Sequence, residues 1–424
     1  MLTQPFWTDD FPKPAGLGGR TPPAAADVVV IGAGYTGLSA ARQIVESGAS
    51  VVVVDAGPVG AGASTINGGM TTKGLKATNR DMFKMYGAEK GRAFWEASVA
   101  AIDLVETIIK EEGIDCSFGR YQAAGLAMSG RAARNLQSAA EWDRTNLGFD
   151  SEFIEGSDVR NRVVDSASFV AARVDPIAGG LHPARYLYGL AGAVERSGAT
   201  LVEHAPVTAI TRSGDGYRVT TGSGVIRAGQ VVVATNGYTG PLLPRLRRGV
   251  IPIGSYIVVT EPLDAGLAER LIPGGRMLWT AKRFLNYFRL TPDNRLLMGG
   301  RNNLSTDLDL HASADIQRAT IGQFFPELAD VRLTHTWSGK LGVTFDLMPH
   351  IGRIDGVWYG LGYGGHGVAV GTYIGAEVGK LVTGAIESSP FLEIDHPTRW
   401  YYRNRTWFLP YGAWMFRFLD AIGR

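Results

Sequence analysis

The sequence predicts an α/β fold joined to an α+β part, with a parallel-sheet nucleotide-binding unit interleaved with an antiparallel-sheet unit. Three features point there. Residues 27–55 read as strand, glycine turn, helix and strand. Residues 200–301 hold many short strand candidates separated by turn signals. A second glycine cluster, Gly360 to Gly367, again joins a strand to a helix. The 424 residues, 45% hydrophobic and 19% charged, suffice to bury two linked cores.

The bulk chemistry narrows the field. Lys plus Arg is 42 and Asp plus Glu is 40, a net charge of +2, so there is no overall electrostatic case for nucleic acid. Cys116 is the single cysteine, which excludes an intramolecular disulfide framework and a cysteine-based zinc site. One thiol agrees with a reducing, cytoplasmic setting. No apolar run reaches the ~18 residues of a membrane span. Met1–Pro14, carrying Asp9 and Asp10, does not read as a signal peptide.

Val28–Ile31 is short, β-branched and unbroken, as a strand buried on both faces requires. Leu38, Ala41, Ile44 and Val45 then recur at helical spacing, Gly48 supplies a stop, and Val51–Val54 is a second buried strand. Between them lies Gly32-Ala-Gly34-Tyr35-Thr36-Gly37. Gly32 permits the tight turn, Gly34 lets backbone approach a pyrophosphate, and Gly37 lets helix and strand pack closely. Phosphates would sit on the free N–H groups of the helix N-terminus. Asp55 ends the second strand, where a carboxylate can accept from ribose hydroxyls and disfavours a 2′-phosphate. The unit implies a dinucleotide but does not separate NAD from FAD.

The remainder is read more coarsely. Small residues from Gly60 to Gly74, including Ser64, Asn67, Gly68, Gly69 and Met70, follow the second strand and can wrap a ligand. Helices are expected over 77–112 and 131–147, and from Pro183 to about Ser197. His182 before that last helix is a cap, a packing residue or a ligand. Strands are expected at 200–203, 207–211 and 217–220, and at Gln230–Ala234 before Thr235-Asn236. Ser255–Thr260, Phe284–Leu290 and Arg295–Gly300 follow, with Asp293-Asn294 as a turn. Gly365-His366-Gly367-Val368 opens a helix, without a second strand or acid to make another nucleotide site. The tail from Arg399 is aromatic and basic, either docked on the body or a second subunit, or resting on a membrane surface. Arg245, Arg247 and Arg248 read as a solvated basic face.

In this order the landmarks resemble the D-amino-acid-oxidase-like superfamily: the first glycine turn with Asp55, Asn67-Gly68-Gly69, the strand ending Val233-Ala234-Thr235-Asn236, and Gly364-Gly365-His366-Gly367 before a helix. Trp337-Ser-Gly339-Lys340-Leu-Gly-Val-Thr344 with Pro349-His-Ile-Gly352 looks most like the gamma-glutamylputrescine oxidase-like and sarcosine oxidase-like branch. The resemblance implies FAD in a glutathione-reductase-like Rossmann domain built from 1–80, 151–235 and 331–395. The antiparallel substrate domain would come from 81–150 and 236–330, with an aromatic tail at 396–424. It places the cofactor against Gly32, Gly34, Tyr35, Thr36, Gly37, Asp55 and Ala56; against Ser64, Asn67, Gly68, Gly69 and Met70; and against Val207, Ala234, Thr235 and Asn236. Gly339, Lys340, Gly365, His366, Gly367 and Val368 would surround the isoalloxazine, with Lys340 and His366 as catalytic residues. Some relatives hold flavin covalently through histidine or cysteine. Asn67 stands at the histidine position and Cys116 lies in the wrong segment, so non-covalent FAD is expected.

The resemblance implies oxidation of an amine to an imine that hydrolyses, with O2 reduced to hydrogen peroxide. Arginine is the usual holder of acidic substrates, and the strand block places Tyr256, Arg283 and Tyr287 toward the pocket. A gamma-glutamyl amine, an N-methyl amino acid or an aminophosphonate is the expected substrate class. A dehydrogenase of the same fold serving a quinone or protein acceptor, a flavin-binding subunit of a larger complex, and a nicotinamide dehydrogenase remain as alternatives. No metal is expected; a homo-oligomer is possible.

Overall fold

Val28–Ile31 and Val51–Val54 have no polar side to turn to water, so both must lie inside a sheet covered on each face. A computed structural model of the chain, describing residues 1–282, 284–300, 304–306, 308–402 and 409, places them there. The elements run α1 (Phe6–Asp10), β1 (Ala25–Ile31), α2 (Tyr35–Glu46), β2 (Val51–Val54), β3 (Met70–Thr72), α3 (Asn79–Glu111), β4 (Gly119–Ala127) and α4 (Gly130–Leu147). Then come β5 (Glu152–Glu155), α5 (Ser157–Arg162), β6 (Ala171–Gly180), α6 (Pro183–Arg196), β7 (Thr200–Val202), β8 (Val207–Ser213), β9 (Gly216–Thr221), β10 (Gly224–Val233) and α7 (Pro244–Arg247). The last third holds β11 (Val250–Pro262), α8 (Ala265–Leu271), β12 (Met277–Thr280), β13 (Asn286–Leu290), β14 (Arg295–Gly300), α9 (Leu310–Phe324), β15 (Leu333–Thr344), β16 (His350–Ile354), β17 (Val357–Leu361) and α10 (Ala369–Thr383).

The first sheet has the order β16-β17-β10-β1-β2-β7, with β8 and β9 extending from β10. Its centre is parallel: Val28 pairs with Val51 and Gln230, and Ile31 with Val54 and Val233. The C-terminal ends of β1, β2 and β10 therefore finish side by side at Gly32, Asp55 and Ala234. Helix α10 packs on α2 through two glycines. A Cβ at Gly375 would lie 2.3 Å from the Thr36 carbonyl oxygen, and one at Gly379 2.8 Å from that of Ala40. Only glycine lets the two backbones come this close.

The second sheet has the order β15-β11-β14-β13-β12-β4-β6-β3, with β5 on β6. It is antiparallel except where β12 meets β4. The sequence division assigns 151–235 and 331–395 to the nucleotide-binding part, but β5, β6 and β15 lie in this second sheet. The physical reason is pairing: β6 is hydrogen-bonded to β4 from Gly119↔Gly180 to Ala127↔Ala171, and β15 to β11 from Val250↔Thr344 to Thr260↔Leu333. Strands β4 and β6 are rich in Ala and Gly, which carry little strand propensity. They hold because large side chains fill the space left; the Trp279 ring lies where a Cβ on Gly125 would sit, 2.5 Å away. Phe288, Phe324 and Phe325 close the core beneath this sheet. No helix of the described residues is long and apolar enough to cross a membrane.

A buried ionic cluster ties the end of β3 to α4 and β6. Arg173 donates to Asp143 at 2.6 Å and to Asp175 at 3.0 Å, and Lys73 meets Asp175 at 3.1 Å. Burial alone would raise the Asp175 carboxyl, but Lys73 and Arg173, with the Ser151 hydroxyl at 2.7 Å, hold it below its ordinary range. Removing this carboxylate strands the buried Lys73 ammonium and leaves Arg173 with Asp143 alone. Asp175→Ala should lower unfolding free energy by about 3–5 kcal/mol in urea titrations, whereas Glu152→Ala, which breaks a surface pair with Arg162, should cost less than about 1 kcal/mol. Because the folded carboxyl titrates below its unfolded value, the Asp175 contribution is present above about pH 4 and fades as pH falls through the lowered folded value.

Candidate functional site: a glycine-lined cleft between the sheets

A cleft of about 840 Å³ opens over the C-terminal ends of β1, β2 and β10. Ligands in open α/β sheets bind at such strand ends. One end is formed by Gly32–Thr36, Val54–Gly57 and Ala205–Thr208; the other by Tyr238, Lys340–Gly342, Gly365, Gly367 and Val368. Ala61–Ser64 and Asn67 run between the two ends, with Ala234–Asn236 beneath.

The glycines of the first turn are set by contact distances. Gly32 has φ +110°, and a Cβ there would lie 2.8 Å from the Ala234 carbonyl oxygen. A Cβ on Gly37 would lie 1.8 Å from the Gly32 carbonyl oxygen, so α2 can rest on β1 only through glycine. Gly34 is the N-cap of α2 and has no side chain to cap it. The start of α2 thus offers N–H groups and the positive end of its dipole to the cleft. Ser64 Oγ already accepts from the Tyr35 N–H at 3.1 Å, so a hydroxyl stands at the same mouth. Asp55 accepts from the Ala33 N–H at 2.8 Å and from the Gly57 N–H at 2.9 Å, which fixes its carboxylate at the cleft edge. Burial pushes that carboxyl up despite these donors. An anion-accepting helix start next to a fixed carboxylate, with a long groove leading away, fits a dinucleotide.

Of the residues that the sequence marks for the cofactor, Gly32, Gly34, Tyr35, Thr36, Asp55, Ala56, Ser64, Asn67, Val207, Ala234, Thr235, Asn236, Lys340, Gly365, Gly367 and Val368 line the cleft. Gly37 lies in the first turn of α2, on the side packed against the end of β1. Gly68 sits behind Asn67, against the Tyr287 ring, which a Cβ would meet at 2.8 Å. Gly69 and Met70 turn into β3, where Met70 pairs with Gly180. Gly339 packs on Ile66. His366, half-buried, precedes α10 without lining the cleft. The Asn67 side chain holds its own turn, donating to Ser64 O at 2.9 Å and accepting from the Gly69 N–H at 2.8 Å.

Tyr256 is a correction. Pairing puts Ile257, Gly299 and Tyr287 in one cross-strand row and Tyr256, Gly300 and Asn286 in the next. Neighbouring rows face opposite sides of a sheet. Ser255, not Tyr256, therefore shares a face with Tyr287, and their hydroxyls are 3.3 Å apart. Tyr256 is fully buried on the other face. It donates to Ser305 O at 2.9 Å and accepts from the Leu308 N–H at 2.8 Å. Arg283 lies outside the described residues, as do Trp407, Phe408, Trp414, Phe416 and Phe418 of the tail; Trp400 and Tyr401 are exposed. His182 is the N-cap of α6, accepting from the Arg185 N–H at 3.2 Å.

Tyr238, Pro241, Leu242, Leu341 and Tyr363 line the cleft without having been marked in the sequence. The first three follow the buried strand β10, and a rule that loops after such strands face the ligand would have found them. Lys340 is exposed, its ammonium 5.7 Å from the centroid of the Tyr238 ring.

A family model described as FAD dependent oxidoreductase (DAO) matches residues 27–381. Gamma-glutamylputrescine oxidoreductase of Escherichia coli is 32% identical over 369 residues, 85% of this chain and 84% of that protein. A probable oxidoreductase, OrdL, of Haemophilus influenzae is 31% identical over 374 residues, 87% of this chain and 85% of that protein. Among solved structures, glycine oxidase from Geobacillus kaustophilus superposes with a TM-score of 0.76 at 20% identity, covering 88% of this chain and all of that one. L-proline dehydrogenase from P. horikoshii gives 0.72 at 21% identity, covering 91% and 98%. These two speak to the fold. With the family match spanning both sheets and the cleft between them, the chain belongs to the DAO family of FAD-dependent oxidoreductases and is an enzyme of that kind.

Proposed function

We propose that this enzyme oxidises an amine bearing a distant acidic group, of the gamma-glutamyl amine type, with O2 as acceptor. The observation that carries the proposal is where the cleft ends. Its far wall includes Lys340–Gly342 of β15, a strand of the second sheet, and that sheet carries Tyr287 and Ser255 on the face opposite Lys340, so an amine on that face would approach the cofactor from the side away from the lysine. The name of the Escherichia coli relative supplies the substrate class. Bound FAD supplies a hydride acceptor for a C–H next to nitrogen. The imine so formed hydrolyses in water.

The chain's own residues do the placing. The N-terminus of α2 and Ser64 would hold the pyrophosphate, Asp55 the adenosine ribose, and Val207 would face the adenine. Lys340 and the N-terminal end of α10 at Gly367-Val368 would offset negative charge at the flavin end. By strand alternation Lys340 falls on the face opposite Tyr287, since it pairs with Gly254 and Gly339 pairs with Ser255. The lysine is thus suited to act on charge at the cofactor and on oxygen rather than on an amine lying against Tyr287. Arg283 is the proposed holder of the acidic group. FAD is proposed to be non-covalent, so denaturing electrophoresis should leave the protein band without flavin fluorescence.

Asp55→Ala removes a charged acceptor, worth about 1.5–3 kcal/mol; it should raise the FAD dissociation constant about 10- to 100-fold in fluorescence titrations. Lys340→Met should slow reoxidation by air at least about tenfold more than anaerobic reduction by amine, followed by stopped-flow at the ~450 nm flavin band. Equal slowing of both half-reactions would remove the oxygen role. Anaerobic mixing with an amine panel should bleach the flavin with acidic amines, and air should restore it with peroxide. Bleaching without recovery would replace the oxidase by a dehydrogenase.

A further inference from the structure

Segment 66–69, of which Asn67 lines the cleft, is held by three side chains that do not line it. The Trp337 indole N–H, on β15, donates to the Ile66 carbonyl at 2.7 Å. The Trp7 indole N–H, on α1, donates to the Asn67 carbonyl at 2.8 Å. The Arg289 guanidinium, on β13, donates to the Gly69 carbonyl and, at 3.2 Å, to that of Leu181. Trp7 is 0% exposed, Trp337 2% and Arg289 3%.

Arg289 is an unusual core residue. Its hydrogen bonds go to the carbonyls of Gly69, Leu181 and Leu290, and the Trp7 ring lies 5.8 Å from it. None of these partners is a carboxylate, and burial pushes the guanidinium down to about 10. A buried charge satisfied only by carbonyls is costly where an apolar residue could pack. Orienting those carbonyls gives it a purpose.

The orientation has a consequence. In a trans peptide the carbonyl and the following N–H point opposite ways. With the Ile66 and Asn67 carbonyls drawn to the indoles, the N–H groups of Asn67 and Gly68 face away from them. Among the described residues neither N–H meets an acceptor. Asn67 itself lines the cleft, between Ser64 and the Lys340 end.

Trp7 is brought there by the N-terminal segment, upstream of the residues that the family model matches. Leu2 exchanges backbone hydrogen bonds with Thr334 and Thr336 along β15, at 2.8 and 2.9 Å. Asp9 and Asp10 meet His335 and His182 at 3.1 and 3.2 Å. Phe6 is buried against Trp7.

We propose that Trp7, Trp337 and Arg289 are positioning residues that clamp the backbone of 66–69 and present the Asn67 and Gly68 N–H groups to the flavin half of FAD, making the N-terminal segment part of the cofactor site. The clamp rests on placing the flavin at the Lys340 end of the cleft.

Trp7→Phe and Trp337→Phe keep an aromatic ring and delete one N–H each. Each should raise the FAD dissociation constant about three- to tenfold, the worth of one neutral hydrogen bond. Arg289→Gln should do so more strongly, with partial rescue by Arg289→Lys. ADP, which lacks the flavin, should bind all four variants as it binds the wild type. Thermal melts of the apoproteins check that each variant folds. An unchanged FAD constant in folded Trp7→Phe and Trp337→Phe overturns the clamp. Equal weakening of FAD and ADP also overturns it, as a general loosening. If ADP binding is instead weakened by the clamp variants and untouched by Asp55→Ala, the cofactor lies the other way round and the placement itself fails.

Discussion

Much of this structure depends on one constraint, the approach of α2 to the C-terminal end of β1. The two elements touch through Gly37, where a Cβ would sit 1.8 Å from a carbonyl oxygen. That contact brings the open N-terminus of α2 over the sheet at the point where β1, β2 and β10 all end. The cleft is a result of this convergence rather than a hollow carved by side chains. The same closeness recurs one layer out, where Gly375 and Gly379 let α10 lie on α2. Since the residues leading into α10 line the cleft, the packing that fixes α2 also fixes this second helix start.

The second sheet is not a separate module placed on the first. The segment from Ala61 to Thr72 leaves β2, runs along the cleft and ends as β3 on β6. Strand β15 closes the far wall and pairs along its length with β11, on the same sheet as Tyr287. The second sheet is thus tied to the cleft segment by Ile66 against Gly339 and by hydrogen bonds to the carbonyls of Ile66 and Gly69.

How much of this could be read in the sequence follows from the distance over which each feature is decided. The unit 27–55 was fully legible because strand, turn, helix and acid are neighbours in the chain and each carries its own pattern. The second glycine cluster was legible for the same reason. Strands β4 and β6 were not, since their alanines and glycines have weak local preference and are stabilised by partners such as Trp279. The parity of Tyr256 was not legible either. Which of Ser255 and Tyr256 faces Tyr287 is set by the register of β11 against β14, and a single-residue shift exchanges them. The contact of Trp7 with the Asn67 carbonyl was invisible because that acceptor lies sixty residues further on.

The same distinction explains why the cofactor could be read and the substrate could not. The nucleotide end is built mainly from backbone: N–H groups at a helix start, glycines at close approach, and one carboxylate held by two more N–H groups. Backbone geometry needs particular residue types at particular spacings, chiefly glycine, and so leaves a pattern. The proposed substrate surface would instead be built from side chains on a sheet face such as Tyr287 and Ser255, whose meeting depends on strand order and register. Many sequences satisfy the same strand while presenting different side chains. Within one fold, then, the cofactor end is constrained by packing that any change would break. The face across from it can vary at the cost of a few side-chain contacts, and that is where amine specificity has room to differ.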